Sequence, residues 1–409
     1  MPAFQHVGWS LGNYCNARCG HCYSWRVRTS ARTLDEAAIA RVLDQLVNVG
    51  VQTLNLGGNE PFYTHGPNPK DSRLAEIVRA ATDRGLTVGV TTNGTTALLL
   101  ARHAPDAFDR VAEWHVSIDS PVAAEHDRNR GGPYFYLAQT ALQLCAERAV
   151  PRTLIYCAMG WNASAAHVDG LFQLARQHGA DVRINTVKPT EPGQDELVLS
   201  PAQYYRFFRE VARWSEPTVV GEPTLAAAWG LPSEGCPCGS RSFRVNSITP
   251  EGTVPVSPCV FLHDLRVGDL LTEDLDDLLT RPTFQALQLR RAEGPTDCQG
   301  CPALRTCRGG CAARAVLQGA RRDGPLASRL DQPDPYCPER VEGPDAGPLP
   351  CALHIPRDRV RVHDGYLCTY IGAPRPEPAF DAGLEPELTP TPLALARPEN
   401  TVPAAAWRA

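Results

Sequence analysis

The sequence predicts an α/β protein, a partial (β/α)6 barrel followed by a cysteine-rich region. Three observations carry this reading. From about residue 7 to residue 187, six apolar, β-branched runs alternate with segments of helical periodicity. Short connections between them imply parallel strands and right-handed crossovers. The polar and sulfur-bearing residues of this half gather at the C-terminal ends of the runs, where parallel sheets keep their chemistry. Beyond residue 235 the pattern is different, and eight of the fifteen cysteines crowd between positions 236 and 337.

Taken in order, Val7-Gly8-Trp9-Ser10-Leu11 is the first expected strand. Thr33, with Glu36 three residues on, reads as a capping box. The helix it opens keeps Ile39, Val42, Leu43 and Leu46 at helical spacing as far as Gly50. Val51 to Leu56 is the second strand, and a helix around Leu74 to Arg84 closes at Gly85. Strands three to six are expected at Thr87–Thr92, Glu113–Ile118, Arg152–Cys157 and Val182–Thr186, the last after a helix over Val168–His178. The alternation stops from Pro189 to Gly230. There Ser200-Pro201-Ala202-Gln203 opens a helix with proline at its first position, and Tyr204, Tyr205, Phe207, Phe208 and Trp214 read as packing residues. Gly268 to Leu279 reads as a short acidic helix. After Cys337 the chain turns proline-rich, with a linker at Pro344–Pro350 and a small hairpin over Val360–Leu367 turning at Asp364-Gly365. A loosely ordered tail is expected beyond Pro374. The expected division is 1–190 for the barrel, 191–235 for a connecting helical region, 236–340 for the cysteine-rich domain and 341–409 for the extension.

Net charge is −5, with Lys+Arg 40 against Asp+Glu 45. No basic excess points to nucleic acid. The N-terminus lacks a basic-then-apolar signal, and no apolar run is long enough to span a bilayer, so a cytoplasmic protein without a membrane partner is expected. In a reducing compartment the cysteines are read as metal ligands rather than disulfides. Cys145 and Cys157 lie inside apolar helix-like and strand-like stretches and are expected in the core. Cys351 and Cys368, in the tail, are read as unliganded thiols.

The stretch Cys15-Asn16-Ala17-Arg18-Cys19-Gly20-His21-Cys22 follows the first strand at once. Three thiolates at Cys-x3-Cys-x2-Cys spacing hold three irons of a [4Fe–4S] cube and leave the fourth open. An open iron is what S-adenosylmethionine (SAM) needs if its sulfonium is to be cleaved by one electron. On these residues alone the alternative is a zinc knot closed by a fourth ligand such as His21. The second run ends in Gly57-Gly58-Asn59-Glu60-Pro61, where two glycines let the backbone approach a ligand or simply turn. The third ends in Asn93-Gly94, the fourth carries Ser117 and Asp119, and the sixth runs into Asn185 and Lys188. Asn93-Gly94 alone is a plain turn, and Ser117 and Asp119 alone are helix caps.

Jointly, these motifs resemble the radical SAM superfamily. Cys15, Cys19 and Cys22 match its cluster motif, and Gly57 to Pro61 its glycine-glycine-x-glutamate-proline motif. Thr92 to Thr95 and Val116 to Ser120 match its later strand ends, and His126-Asp127-Arg128-Asn129-Arg130-Gly131 the stretch after strand four. The resemblance implies a TIM-like partial barrel whose Gly57, Gly58, Asn59, Glu60, Asn93, Ser117 and Asp119 meet SAM. His21 stands where the family usually has Tyr or Phe against adenine.

Cys236, Cys238, Cys259, the run Cys298-x2-Cys301-x5-Cys307-x3-Cys311, and Cys337 resemble the SPASM extension of that superfamily, which holds two auxiliary [4Fe–4S] clusters. The spacing Gly252-x6-Cys259 is two residues longer than usual, and the Cys236/Cys238 pair is unusually tight. The resemblance assigns Cys298, Cys301, Cys307 and Cys337 to one cluster. Cys311 crosses to the other, with Cys259 and one or both of Cys236 and Cys238. Two structural zincs are the alternative.

The expected activity is reductive cleavage of SAM to a 5′-deoxyadenosyl radical that removes a hydrogen from a substrate. The lead substrate is a natural-product precursor peptide, oxidised to a crosslink or thioether. The alternative is dehydrogenation, epimerisation or decarboxylation of a small sugar, nucleoside or amino-acid intermediate. The expected electron donor is a protein such as flavodoxin or ferredoxin, and the sequence's opening directly on the barrel counts either against a peptide substrate or for a separate leader-peptide-binding protein. Lys188, Asp119, Tyr156 and His115 are candidate acids or bases near strand ends.

Overall fold

The computed structural model describes residues 4–12, 14–25, 28, 32–214, 218–231, 233–341 and 369–371. Among the described residues ten strands form one sheet: β1 (His6–Leu11), β2 (Thr53–Gly58), β3 (Thr87–Thr92), β4 (Glu113–Ser117), β5 (Arg152–Ala158), β6 (Asp181–Thr186), β7 (Thr218–Val220), β8 (Ser242–Val245), β9 (Val256–Ser257) and β10 (Thr369–Ile371). Their order is β10-β7-β6-β5-β4-β3-β2-β1-β8-β9. Neighbours from β1 to β7 pair in parallel in sequence order, the expected right-handed α/β progression. These strands are buried almost throughout, as a parallel sheet covered on both faces must be. Val7, Leu54, Val88, Trp114, Leu154 and Ile184 belong to the apolar cluster that joins sheet and helices.

The sheet reaches further than the expected six strands. β7 continues the parallel run beside β6, and β8 lies parallel to β1 on the opposite side. β9 and β10 close the two edges antiparallel. β7 is three residues long, too short to carry a period of its own, and only its pairing makes it a strand. Through β8 and β9 the cysteine-rich region adds directly to the sheet at β1.

Helix boundaries follow the sequence reading to within a few residues, with helices at Glu36–Asn48, Leu74–Asp83 and Ala165–Gln177. The first cap differs from expectation. Asp35, not Thr33, precedes the first helical residue, and its side chain accepts from the Ala38 N–H at 2.8 Å. Thr33 lies too far upstream to form the expected box with Glu36. A complete box does form at Ser200 and Gln203 around the Pro201–Ala212 helix. Tyr204, Tyr205, Phe207 and Phe208 of that helix are buried. Of the stretch Gly268 to Leu279, only Leu275–Leu279 is helical. Gly268 takes a positive φ of 62°, and the Asp269 side chain accepts from Val254 and Leu271 N–H groups, which favours a loop. The expected hairpin over Val360–Leu367 lies outside the described residues, as do Cys351 and Cys368. No helix among the described residues is long and apolar enough to cross a membrane.

Candidate active site

A cavity of ≈ 260 Å³ opens at the C-terminal ends of the parallel strands. Cys15, Cys19 and Cys22 line it, with Gly57, Gly58, Asn59, Glu60, Asn93, Ser117 and His21. The same cavity is also lined by Cys236, Cys238, Cys259 and Cys311. Cys298, Cys301, Cys307 and Cys337 line a separate small pocket of ≈ 20 Å³. The two later thiol groups are thus segregated, and Cys311 sits apart from the run to which it belongs in sequence.

The loop after β1 is pinned by the stretch after β4. Arg18 N–H donates to the Arg130 carbonyl (2.9 Å), and Gly20 N–H to that of Asn129 (3.1 Å). Asn16 bridges Thr95 and the Asn93 side chain at 2.9 Å each. The Tyr134 hydroxyl donates to the Asn16 carbonyl. Donors are aimed at the sulfurs themselves. Ala17 N–H points at Cys15 Sγ (3.4 Å) and an Arg28 terminal nitrogen at Cys22 Sγ (3.2 Å), while the Ser24 hydroxyl, 3.3 Å from Cys22 Sγ, gives its hydrogen to the Gly58 carbonyl (2.8 Å). Burial, then Glu60, pushes the Cys15 thiol up to about 12, and burial pushes Cys19 up to about 11. These two thiols therefore stay protonated until a metal takes the place of the proton. Hydrogen-bond donors directed at sulfur suit iron–sulfur thiolates. Among the described residues no three His, Cys, Asp or Glu side chains form a ready site for a single metal ion. The thiols line walls instead, which suits a cluster whose several irons each take one of them. The residues fit the cluster.

Gly58 has a φ of 96°, and a Cβ there would meet the Ser10 side chain at 2.6 Å. Glu60 is fully buried. Its Oε1 accepts from Thr92, from the Thr96 hydroxyl and from the Thr96 N–H (2.9 Å), whereas Oε2 accepts only from Asn93 N–H (3.0 Å). Oε2 keeps a lone pair for a ligand ammonium. Burial raises the Glu60 pKa, with the Asn93 and Thr92 hydrogen bonds opposing it.

Asp119 does not reach the cavity. It lies behind the wall, with Arg130 Nε at 2.8 Å and Asn129 Nδ2 at 3.0 Å. Burial pushes its carboxyl up, but Arg130 outweighs that and holds it at about 2. Arg130, on the cavity wall, is the residue that Asp119 presents. His21 is tied by Asn129 at 3.1 Å and stands 3.9 Å from Asp119, and burial lowers its pKa.

Three expectations need correction. Cys145 is buried as expected, but Cys157 lines the cavity at the end of β5. Strand alternation puts Ile155 and Cys157 on the cavity side, so Tyr156 points into the opposite layer, where its hydroxyl donates to the Asn162 carbonyl. His115 sits in mid-strand, 3.3 Å from Glu113 and away from the cavity. Lys188 does line the cavity. It is buried against Glu222 (2.9 Å), which Arg314 also grips at 2.6 Å. Burial pushes Glu222 up, yet Arg314 and then Lys188 outweigh it and hold that carboxyl at about 2. Sequence reading missed Arg28, Arg244 and the Glu222–Arg314 pair, for which no local signal exists.

Residues 9–173 match the Radical SAM superfamily, and residues 236–302 match SPASM, an iron–sulfur cluster-binding domain. The chain carries a radical SAM domain followed by a SPASM domain. Its cofactors are SAM and a [4Fe–4S] cluster, with auxiliary iron–sulfur clusters in the SPASM domain. It is 28% identical over 364 residues to the mycofactocin maturase MftC of Mycobacterium ulcerans, covering 86% of this chain and 92% of that one. It is 24% identical over 349 residues to an AdoMet-dependent heme synthase of Nitratidesulfovibrio vulgaris, covering 77% and 89%. Its fold is shared with SuiB of Streptococcus suis bound to S-adenosylmethionine, at a TM-score of 0.62 and 16% identity over 82% of this chain and 77% of that one. AdoMet-bound anSMEcpe matches at 0.60 and 16%, over 81% and 94%.

Proposed function

We propose that this radical SAM enzyme oxidises a peptide, joining two of its positions by a crosslink or thioether. The observation that carries the reading is the single cavity walled by the Cys15–Cys22 loop on one side and by Cys236, Cys238, Cys259 and Cys311 on the other. The similarity to MftC, a maturase by name, supports a peptide substrate.

A reduced [4Fe–4S] cluster with bound SAM supplies methionine and a 5′-deoxyadenosyl radical, which takes a hydrogen atom from carbon. Cys15, Cys19 and Cys22 would hold that cluster. Glu60 Oε2 and the backbone at Gly57 and Gly58 receive the ammonium of SAM. Asn93 and Ser117 meet its polar groups, Arg130, braced by Asp119, faces its carboxylate, and His21 flanks adenine. Two auxiliary [4Fe–4S] clusters are assigned, one to Cys236, Cys238, Cys259 and Cys311 and one to Cys298, Cys301, Cys307 and Cys337. The balance is a two-electron oxidation. One hydrogen atom leaves carbon for 5′-deoxyadenosine, and a nucleophile on the peptide bonds to that carbon and loses its proton. The remaining electron needs an acceptor, which an auxiliary cluster held by Cys236, Cys238, Cys259 and Cys311 would supply. Flavodoxin or ferredoxin delivers the starting electron, and a separate protein presents the leader of the peptide.

Anaerobic enzyme with SAM and dithionite should form 5′-deoxyadenosine. With the correct peptide, deuterium should pass from the modified carbon into that product as the peptide loses two hydrogens. Transfer from a small molecule instead, with every precursor peptide inert, would favour the second reading, an oxidation of a small intermediate. The heme synthase similarity supports that alternative.

A further inference from the structure

Among the described residues, the Arg244 guanidinium on the cavity wall has no carboxylate partner. Arg244 stands on β8 and is 2% exposed. One terminal nitrogen donates to the Val260 carbonyl (2.8 Å) and the other to the Ser10 hydroxyl, both neutral acceptors. Its Nε–H finds no acceptor among the described residues. Two other buried arginines pair with carboxylates, while Arg290, which like Arg244 has an Nε–H without an acceptor among the described residues, lies outside the cavity. Arg130 pairs with Asp119, and Arg314 with Glu222 and Asp334. Arg290, away from the cavity, donates to the carbonyls of Leu330, Gln332 and Gly309. The carboxylates on the cavity wall are committed elsewhere, Glu60 to Thr92, Asn93 and Thr96, and Glu222 to Lys188 and Arg314.

Burying an unpaired charge is costly. A guanidinium carries five N–H donors in a planar fork suited to carboxylate, and two are used. Its surroundings extend the pattern. Arg244 lies over the Tyr23 ring at 5.4 Å, Tyr23 meets Phe261 edge-on at 5.5 Å, and Lys188 stands over Phe261 at 5.4 Å. All four line the cavity. The strip runs cation, ring, ring, cation. Arg244 shares the cavity wall with Cys22 of the first sulfur group and Cys259 of the second.

We propose that Arg244, with the Tyr23–Phe261 wall beside it, is a subsite for a carboxylate of the peptide substrate. This rests on reading the cavity as the substrate site. The carboxylate is a chain terminus or an acidic side chain, and two probes separate these sources.

The test is anaerobic titration calorimetry on full-length, cluster-loaded, SAM-bound protein. The probes are N-acetyldialanine, its C-terminal amide, and N-acetylglutamylalanine amide. At least one of the two acids should bind about tenfold more tightly than the uncharged amide. The tighter acid identifies the source. In Arg244→Gln the preference should fall to within about twofold, and Arg244→Lys, which keeps the charge but not the fork, should fall between. Equal affinity of acids and amide in the unaltered protein overturns the proposal, as does no measurable binding of either acid. A preference that survives Arg244→Gln overturns it too and leaves Arg244 as a counter-charge to the cluster thiolates. The comparison in the unaltered protein needs no substitution, so a misfolded variant leaves the test standing. Failure to form 5′-deoxyadenosine would strike the proposed function, while the acid preference would still be measurable.

Discussion

The two sulfur-bearing regions of this chain are built in opposite ways. The first takes three thiols from eight consecutive residues, Cys15 to Cys22, and hangs them on the end of β1, which pairs in parallel with β2 and β8. The second gathers eight thiols from positions 236 to 337 across loops and short helices. Backbone hydrogen bonds hold the first in place. Buried side-chain charges hold the second. Asp334 accepts from the Cys311 N–H (2.7 Å) and the Tyr336 N–H (2.9 Å) while pairing with Arg314, and Arg290 ties three carbonyls together. A compact ligand set can rely on the sheet, whereas a dispersed one needs charged braces in its core.

The sharpest way to break this comparison is to remove one sulfur from each region. Cys19→Ala should abolish 5′-deoxyadenosine formation altogether. Cys301→Ala should lower iron by about four per chain and leave SAM cleavage detectable while peptide modification is lost. Iron analysis and product chromatography read both. Equal loss of SAM cleavage in the two variants would mean that the regions are not separable.

Next in size is the brace. Asp334→Ala leaves the fully buried Arg314 with one partner fewer and frees the Cys311 N–H, so it should cost about 3–5 kcal/mol in denaturant unfolding. Acid should act on the same network through Glu222. Its carboxyl is held at about 2 against an ordinary 4.5. A depressed pKa gives stability that is complete above about pH 4.5 and is lost as pH falls through about 2. That contribution is on the order of 3 kcal/mol. Glu222→Gln should flatten this part of the stability profile between pH 5 and 2 (about those limits).

How much of this was legible in the sequence follows the same division. The strand ends, the Cys15–Cys22 loop and the glycine pair could be read because each is local, set by spacing within a few residues. β7 and the pairing of β8 with β1 could not, since three or four residues carry no period and only tertiary pairing defines them. Cys145 and Cys157 both sit in apolar stretches of sequence, and which face of β5 turns toward the cavity, carrying Cys157 with it, is decided only by tertiary packing. Asp119 was legible as a polar strand end, but that it braces Arg130 rather than facing the cavity depends on a chain reversal of eleven residues. Arg244, Glu222, Arg314 and Asp334 gain meaning only from partners distant in sequence.

Within the sheet-held region, Gly58 is the sensitive backbone position. Gly58→Ala forces a side chain onto a φ of 96° and into Ser10, at 2.6 Å. The expected cost is about 1–2 kcal/mol in stability. SAM affinity should fall with it, because Gly58 lines the cavity and Ser10 accepts from Arg244. Urea unfolding and equilibrium binding of SAM read the two effects separately.

The smallest effect is expected at Asp35, well away from any sulfur. Its side chain satisfies one of the free N–H groups at the start of the Glu36–Asn48 helix, through Ala38. That helix packs Ile39, Val42, Leu43 and Leu46 into the core. Its far side receives the second region, where Gln45 donates to the Leu270 and Glu273 carbonyls and accepts from the Leu275 N–H at 2.7 Å. Asp35→Ala should therefore cost about 1 kcal/mol, the ordinary worth of a helix cap, and Asp35→Ser should restore most of it. Thr33→Ala, at the position the sequence alone would choose, should cost less than Asp35→Ala. If Thr33→Ala proved the more damaging in thermal unfolding, the helix would begin two residues earlier, and the sheet-held region would be braced differently from the account above.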